Sequence, residues 1–204
     1  MPAMRVVVLV SGGGTNLQSL LDAGRSGALG PAAIVGVISS RPGVRALDRA
    51  AAAGVSARVL DHRGFADRAA FDAALKAEVQ SLGADLVVLA GFMRVLTEGF
   101  LFGFEDRVIN IHPSLLPAFP GVRAPAQALQ HGVKISGCTV HFVDAGVDTG
   151  AIIAQAAVPV LDGDTEETLQ ARILVEEHRL LPAVVASLAA GGFRREGRRV
   201  HRVP

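Results

Sequence analysis

Tryptophan and tyrosine are absent from this 204-residue chain, and cysteine occurs once, at Cys138. Nine phenylalanines therefore supply the aromatic packing. A lone cysteine excludes an intramolecular disulfide and fits a reducing compartment. Long hydrophobic runs are also missing. The apolar start, Val6 to Val10, is too short for a signal-peptide core or a membrane span. Nor is there an excess of charge of one sign: 20 Lys and Arg meet 19 Asp and Glu, for a net charge of +1. That balance argues against a phosphate-neutralising face and so against nucleic acid as a partner. What remains is a soluble cytoplasmic protein with no membrane partner. One local excess stands out, in 191–204, where Arg194, Arg195, Arg198, Arg199 and Arg202 meet the single acid Glu196. It reads as a solvated basic tail.

Half the residues are hydrophobic, enough to bury a sheet-and-helix core in one domain. Short apolar runs alternate with helical patterns. Arg5–Val10 reads as a buried strand, followed by a glycine loop and a helix from about Asn16 to Ala23. Ala33–Ser39 and Ala57–Leu60 read as strands around an Ala-rich helix, Arg45–Ala53, which Gly54 ends. A helix over Ala66–Ser81 closes at Gly83, and Leu86–Ala90 and Val108–Ile111 follow as fully apolar strands. This rhythm predicts an α/β fold with a doubly wound, mostly parallel sheet. After residue 112 the pattern changes. Pro113, Pro117, Pro120 and Pro125 exclude a long regular element and force an ordered loop. A strand, a loop and a strand come next (Ile135–Phe142 and Ile152–Val158), then a long helix from Thr165 to about Leu188. Asp164 and Thr165 are its candidate caps, and Pro182 is expected to kink or divide it.

Ser11-Gly12-Gly13-Gly14-Thr15-Asn16 lies between the first strand and the first helix. Glycines let backbone N–H groups approach an anion, and the helix start adds favourable partial charge. No Gly-Lys-Ser/Thr follows, so this is not a P-loop, and Leu17 stands where a dinucleotide fingerprint needs its third glycine. Ser39-Ser40-Arg41 is the one feature that would suit a dinucleotide 2′-phosphate. A phosphate-sized anion site is the reading, against a plain tight turn.

Asn110 and His112 end a buried strand two residues apart, so their side chains leave one face at its carboxyl end. Side by side they can donate to an oxyanion, and the histidine can also move a proton. A carboxylate to serve the histidine is sought in Asp144-Ala145-Gly146-Val147-Asp148-Thr149-Gly150, where Asp148 competes with Asp144. An anion at that place is expected to keep His112 protonated. Cys138 and His141 are three apart in a strand and point to opposite faces, so a shared metal is not expected.

SGGGTN, AGFMRVL, NIHPSLLPAFPG, GCTVHFVDAGVDTG and EEH occur in order between about residues 5 and 190. In this the chain resembles the glycinamide ribonucleotide formyltransferases of the folate-dependent formyltransferase superfamily. The resemblance implies one domain over 1–204, with a nucleotide- and phosphate-binding half to about 105, a folate-binding and catalytic half over about 106–190, and the tail. By motif it makes Asn110, His112 and Asp148 the catalytic three. Gly14, Thr15 and Asn16 become the substrate-phosphate loop, and Glu177 an acid near the substrate ribose. Met93, Arg94, Val95, Leu96 and Asn110 fall to the folate, with Arg68 an arginine on the same side. The implied substrates are glycinamide ribonucleotide and 10-formyltetrahydrofolate, in a reaction needing no metal.

Two positions depart from the pattern: Arg123 where a histidine is usual, and Ala151 where a proline is frequent. Three rival readings differ in specific features. A formyltetrahydrofolate hydrolase shares the catalytic three but typically carries an N-terminal regulatory domain, whereas here the first strand begins at Arg5. A methionyl-tRNA formyltransferase would bring a C-terminal tRNA-binding domain and no SGGGTN loop. An NADP(H) oxidoreductase could use the first βαβ unit and Arg41, but leaves NIHPSLLP without a role.

Overall fold

The computed structural model describes residues 2–203. Seven strands form one sheet in the order β3-β2-β1-β4-β5-β6-β7. They are β1 (Met4–Val10), β2 (Ala32–Ser39), β3 (Ala57–Val59), β4 (Leu86–Leu89), β5 (Val108–His112), β6 (Ile135–Phe142) and β7 (Ile152–Pro159). β3 to β5 run parallel, and β6 and β7 add antiparallel strands beside β5. The expected mostly parallel α/β sheet is therefore found. The chain winds outward in both directions from β1 and β4, which opens a crevice at their carboxyl ends.

Alternation along β1 builds two cores. Val6, Val8 and Val10 face Leu17, Leu20 and Leu21 of α1 (Thr15–Ser26), together with Leu169, Ile173 and Leu181 of α6 (Glu166–Ala189). Val7 and Leu9 face Phe71, Leu75 and Val79 of α3 (Arg68–Ser81) and Phe100 of the short α4 (Glu98–Leu101). A strand covered on both sides must be apolar at every position, and this one is fully buried from Val6 to Val10.

Caps fix the helix starts more sharply than apolar periodicity does. α3 begins after Asp67, whose side chain accepts from the Ala70 N–H at 2.8 Å, rather than at Ala66. α6 begins after Thr165, whose side chain and that of Thr168 cap each other's backbone. It then runs unbroken through the buried Pro182, so the expected division there does not occur. α2 (Arg45–Ala52) lies over the glycine loop, and α5 (Ala124–Gln130) carries Pro125 in its first turn, where a proline's missing N–H has no partner to lose.

The basic tail is solvated as expected, with its five arginines exposed, and it also has regular structure. Phe193–Glu196 (β8) and Arg199–Arg202 (β9) form an antiparallel hairpin turning at Gly197, whose φ is 61°. Arg195 bonds Asp106 and lies over the Phe142 ring at 5.8 Å, which fastens the hairpin to the sheet. Cys138 sits in the first core, where burial pushes its thiol up to about 12. No helix among the described residues is long and apolar enough to cross a membrane.

Candidate active site

β5 delivers Asn110 and His112 to the crevice, while Ile109 and Ile111 between them go to the core on the opposite face. The proline-rich segment that follows is an ordered loop. Thr139 accepts from the Leu116 N–H at 3.0 Å and donates to the Ser114 carbonyl at 2.7 Å. Gln155 donates to the Leu116 carbonyl at 2.9 Å. The loop so held turns two backbone groups on the site. The Phe119 carbonyl meets His112 Nε2 at 2.9 Å, and the Gly121 N–H donates to Asp148 Oδ2 at 2.8 Å.

Asp148 is the carboxylate brought to His112, with Oδ2 3.3 Å from Nδ1. Its competitor Asp144 does other work, accepting from the Gly146 N–H at 3.1 Å and the Thr149 hydroxyl at 2.6 Å to shape the turn. Asp148 itself adopts a left-handed backbone (φ 54°) that aims its side chain inward. The loop regains the sheet through Gly150, where a Cβ would lie 1.7 Å from the Phe142 carbonyl oxygen. Only glycine fits there.

A second histidine joins the group. His141 stands opposite Asn110 in the β5–β6 pair, and its Nε2 lies 3.2 Å from the Asn110 amide nitrogen and 3.6 Å from Asp148 Oδ1. Its Nδ1 donates to the Phe142 carbonyl at 2.8 Å, which fixes the ring with Nε2 toward Asn110 and Asp148. In the sequence His141 stands out only beside Cys138, as a metal partner that strand geometry disfavours. Strand pairing, which a single sequence does not give, is what reveals it.

The electrostatics correct one expectation. Burial pushes the His112 imidazole below its ordinary value, and the Phe119 carbonyl and Asp148, which both favour the charged ring, do not make up the difference. His112 is thus not held charged, although both ring nitrogens face acceptor oxygens. For Asp148 burial would raise the carboxyl, but neighbouring His141, the Gly121 N–H and His112 together hold it below the usual carboxylate range. Asp148 thus stands as an anion beside the His112 ring.

Asn110, His112 and Asp148 line one cavity of about 550 Å³ together with Met93, Arg94, Val95 and Leu96. Its mouth is apolar, with Met93, Val122 and Val147 each at least half exposed. Arg123 stands at the rim, where its guanidinium pairs with Glu166 through bonds of 3.2 and 2.5 Å. Arg68, at the start of α3, is exposed and is not among the lining residues.

The other expected residues gather at the start of α1. Gly14 is left-handed (φ 70°) and sits so close to α2 that a Cβ would lie 2.7 Å from the Ala46 Cβ. No side chain caps this helix. Among the described residues the N–H groups of Thr15, Asn16 and Leu17 find no acceptor, which leaves donors facing outward. Asn16 donates to the buried Glu177 at 2.7 Å. Ser11 joins the two regions: its hydroxyl accepts from the Met93 N–H at 3.0 Å and meets Ser40 at 2.7 Å.

Known proteins resemble this chain in sequence and fold. The formyl transferase family profile matches residues 4–185. A Mycobacterium tuberculosis phosphoribosylglycinamide formyltransferase is 52% identical over 95% of this chain and 89% of its own. The trifunctional purine biosynthetic protein adenosine-3 of Drosophila pseudoobscura is 52% identical over 95% of this chain, which spans only 14% of that protein's length. Among solved structures, glycinamide ribonucleotide transformylase 1 from Symbiobacterium toebii superposes with a TM-score of 0.97 at 53% identity, over 99% of this chain and 95% of the other.

Proposed function

The chain belongs to the formyl transferase family, and from that premise we propose that it moves the formyl group of 10-formyltetrahydrofolate to the amine of glycinamide ribonucleotide. The products are formylglycinamide ribonucleotide and tetrahydrofolate, a step of de novo purine biosynthesis. The observation that carries this reading is the meeting of Asn110, His112 and Asp148 in a cavity with an apolar mouth, joined through Ser11 to a helix start with free N–H donors. The cavity suits a flat heteroaromatic donor and the helix start a phosphorylated acceptor.

In this mechanism the neutral amine attacks the formyl carbon and the carbonyl oxygen becomes an oxyanion. Asn110 and His112 donate to that oxygen, and His112 Nε2, which meets the Phe119 carbonyl, turns to the developing charge. The new negative charge favours the imidazolium, which Asp148 then supports. Collapse of the tetrahedral adduct breaks the bond to the folate N10. The proton leaving the amine ends on that nitrogen, with Asp148 serving its movement. Met93 to Leu96 line the donor's ring and Arg68 serves its far end. Gly14, Thr15, Asn16 and Glu177 hold the acceptor's phosphate and ribose. Residues 1–204 act as one domain in two halves, and the cytoplasm is the compartment.

Purified protein should consume 10-formyltetrahydrofolate rapidly only when glycinamide ribonucleotide is present. Positioning a second reactant contributes several orders of magnitude, so formate release without the acceptor should be slower by at least about a thousandfold. Rapid formate release that the acceptor does not alter would replace the transferase with a hydrolase.

A further inference from the structure

Residues 93–96 line the site cavity between β4 and α4, and they belong to no helix or strand. Among the described residues the N–H groups of Arg94, Val95 and Leu96 and the carbonyls of all four find no hydrogen-bond partner in the protein. A stretch without backbone bonds of its own takes its shape from what holds its ends. Here each end is held by a buried side chain from a different layer of the fold. Ser11, 5% exposed and just past β1, accepts from the Met93 N–H at 3.0 Å. Asp72, 1% exposed on α3, accepts from the Thr97 N–H through Oδ2 at 2.6 Å.

Packing alone gives Asp72 no reason to be there. It is buried beside Phe71 and Leu75 on α3, and its Oδ1 has no partner. Sinking a carboxyl group and leaving one oxygen bare costs stability that a leucine of similar size would not. Nor is Asp72 needed to dock α4 on α3. Lys76, one turn further on, donates to the Gly99 and Phe102 carbonyls at 2.9 and 2.5 Å. Phe100 is fully buried in the second core, and the Thr97 hydroxyl caps α4 by accepting from the Phe100 N–H at 3.3 Å. What Asp72 fixes is the Thr97 amide, and with it the far end of the arch over the cavity.

We propose that Asp72 is a positioning residue for the formyl donor. With Ser11 it clamps residues 93–97 at both ends, so that the unpaired backbone groups between them are set for the donor's ring. This rests on the donor reading given above for residues 93–96. Asp72 touches no reacting atom and acts through the Thr97 amide. A segment ordered in advance spares donor binding the entropy of ordering it.

Two variants of one residue separate this role from packing. Asp72→Leu keeps the bulk and removes the acceptor, whereas Asp72→Asn retains an oxygen for the Thr97 N–H. Asp72→Leu should raise the KM for 10-formyltetrahydrofolate by about 10- to 100-fold, the scale of a hydrogen bond to a carboxylate. The KM for glycinamide ribonucleotide and kcat at saturating donor should stay within about threefold, and Asp72→Asn should recover most of the loss. Hydrogen exchange gives a readout without ligand. In Asp72→Leu the Met93 amide, whose own bond to Ser11 is untouched, should exchange at least about tenfold faster while β4 keeps its protection. Equal rises in both KM values, or protection lost throughout β4, would make Asp72 a packing residue and overturn the proposal. An unchanged donor KM in Asp72→Leu would overturn it as well. Should Asp72→Leu fail to fold, Ser11→Ala removes the opposite end of the clamp at the loss of one oxygen. Its donor KM should rise about three- to tenfold, the scale of a neutral hydrogen bond, and a rise confined to the acceptor overturns the proposal. A wild-type protein that ignores 10-formyltetrahydrofolate would sink the donor assignment instead. Exchange of the Met93 amide in Asp72→Leu would then still decide whether Asp72 shapes this segment.

Discussion

Asn110 and His141 face each other across the antiparallel β5–β6 pair, with the amide nitrogen of one 3.2 Å from Nε2 of the other. Asp148 Oδ1, which accepts, lies 3.4 Å from the same amide nitrogen, so the NH2 end of Asn110, not its oxygen, points to the carboxylate. The orientation of the proposed oxyanion donor is thereby set by groups outside its own strand. Asn110→Ala should lower kcat by about 10²- to 10³-fold, the usual loss for an oxyanion donor. His141→Ala should cost less, about tenfold, with both KM values near normal, since the donor is freed rather than removed. A His141→Ala loss larger than that of Asn110→Ala in steady-state assays would mean that His141 acts on the reacting atoms itself.

The two aspartates of the 144–150 loop should separate cleanly. Asp148→Asn removes the anion beside His112 and should lower kcat by about 10²- to 10⁴-fold, as should His112→Ala. Asp144→Asn retains an oxygen to accept from Gly146 and Thr149 and should keep activity within about threefold. Turnover measurements on the three folded variants check this, and the reverse order for the aspartates would assign the chemistry to the wrong carboxylate.

Stability should depend on pH through the buried rings. His112 and His178 both take up protons less readily in the folded chain than in the unfolded one. Below about pH 6.5 the unfolded chain therefore binds protons that the native state refuses. Folding stability should fall as pH drops from about 6.5 toward 5, with a slope of at most about 1.4 kcal/mol per pH unit for each ring. Asp148, lowered in the folded state, adds stability that is lost only on further acidification through the carboxylate range. Urea melts between pH 5 and 7 should show a shallower slope for His112→Gln, because one of the two rings is gone. An unchanged slope would show that the His112 shift is absent.

Much of this was legible in the chain itself, for physical reasons that differ by element. β1, β4 and β5 announce themselves because a strand covered on both faces has no polar position, and Asn110 and His112 stand out at the end of such a run. Asp148 was legible as one of two candidates, since a turn shows its acids but not which of them the backbone aims inward. His141 was not legible as a site residue, because its neighbour Asn110 is 31 residues away and is met only through strand register. The tail's solvation was legible in its run of arginines, but its hairpin was not, because such a run carries little apolar alternation. Val200 is only half-buried and Arg195 is drawn to Asp106, yet a turn at Gly197 is enough to pair the two short strands.

Asn16 belongs to the proposed acceptor site and also bonds the buried Glu177, so its removal should affect both binding and stability. Its side chain is 9% exposed and donates at 2.7 Å to Glu177, itself 3% exposed. Burial raises the Glu177 carboxyl above its ordinary value, and the Asn16 bond works against that rise. Asn16→Ala would leave the acid buried without its donor, which costs about 1–3 kcal/mol when a buried polar group loses its partner. The variant should therefore melt at a lower denaturant concentration than wild type and also show a raised KM for glycinamide ribonucleotide, with folate affinity little changed. Glu177→Gln tests the link, since its amide oxygen can still accept from Asn16 while the buried charge is removed. Paired with intact Asn16, it should be about as stable as wild type or more so. If Glu177→Gln were instead as unstable as Asn16→Ala, the carboxylate's charge would be needed by some other group, and the Asn16 bond would not be what keeps Glu177 in the interior.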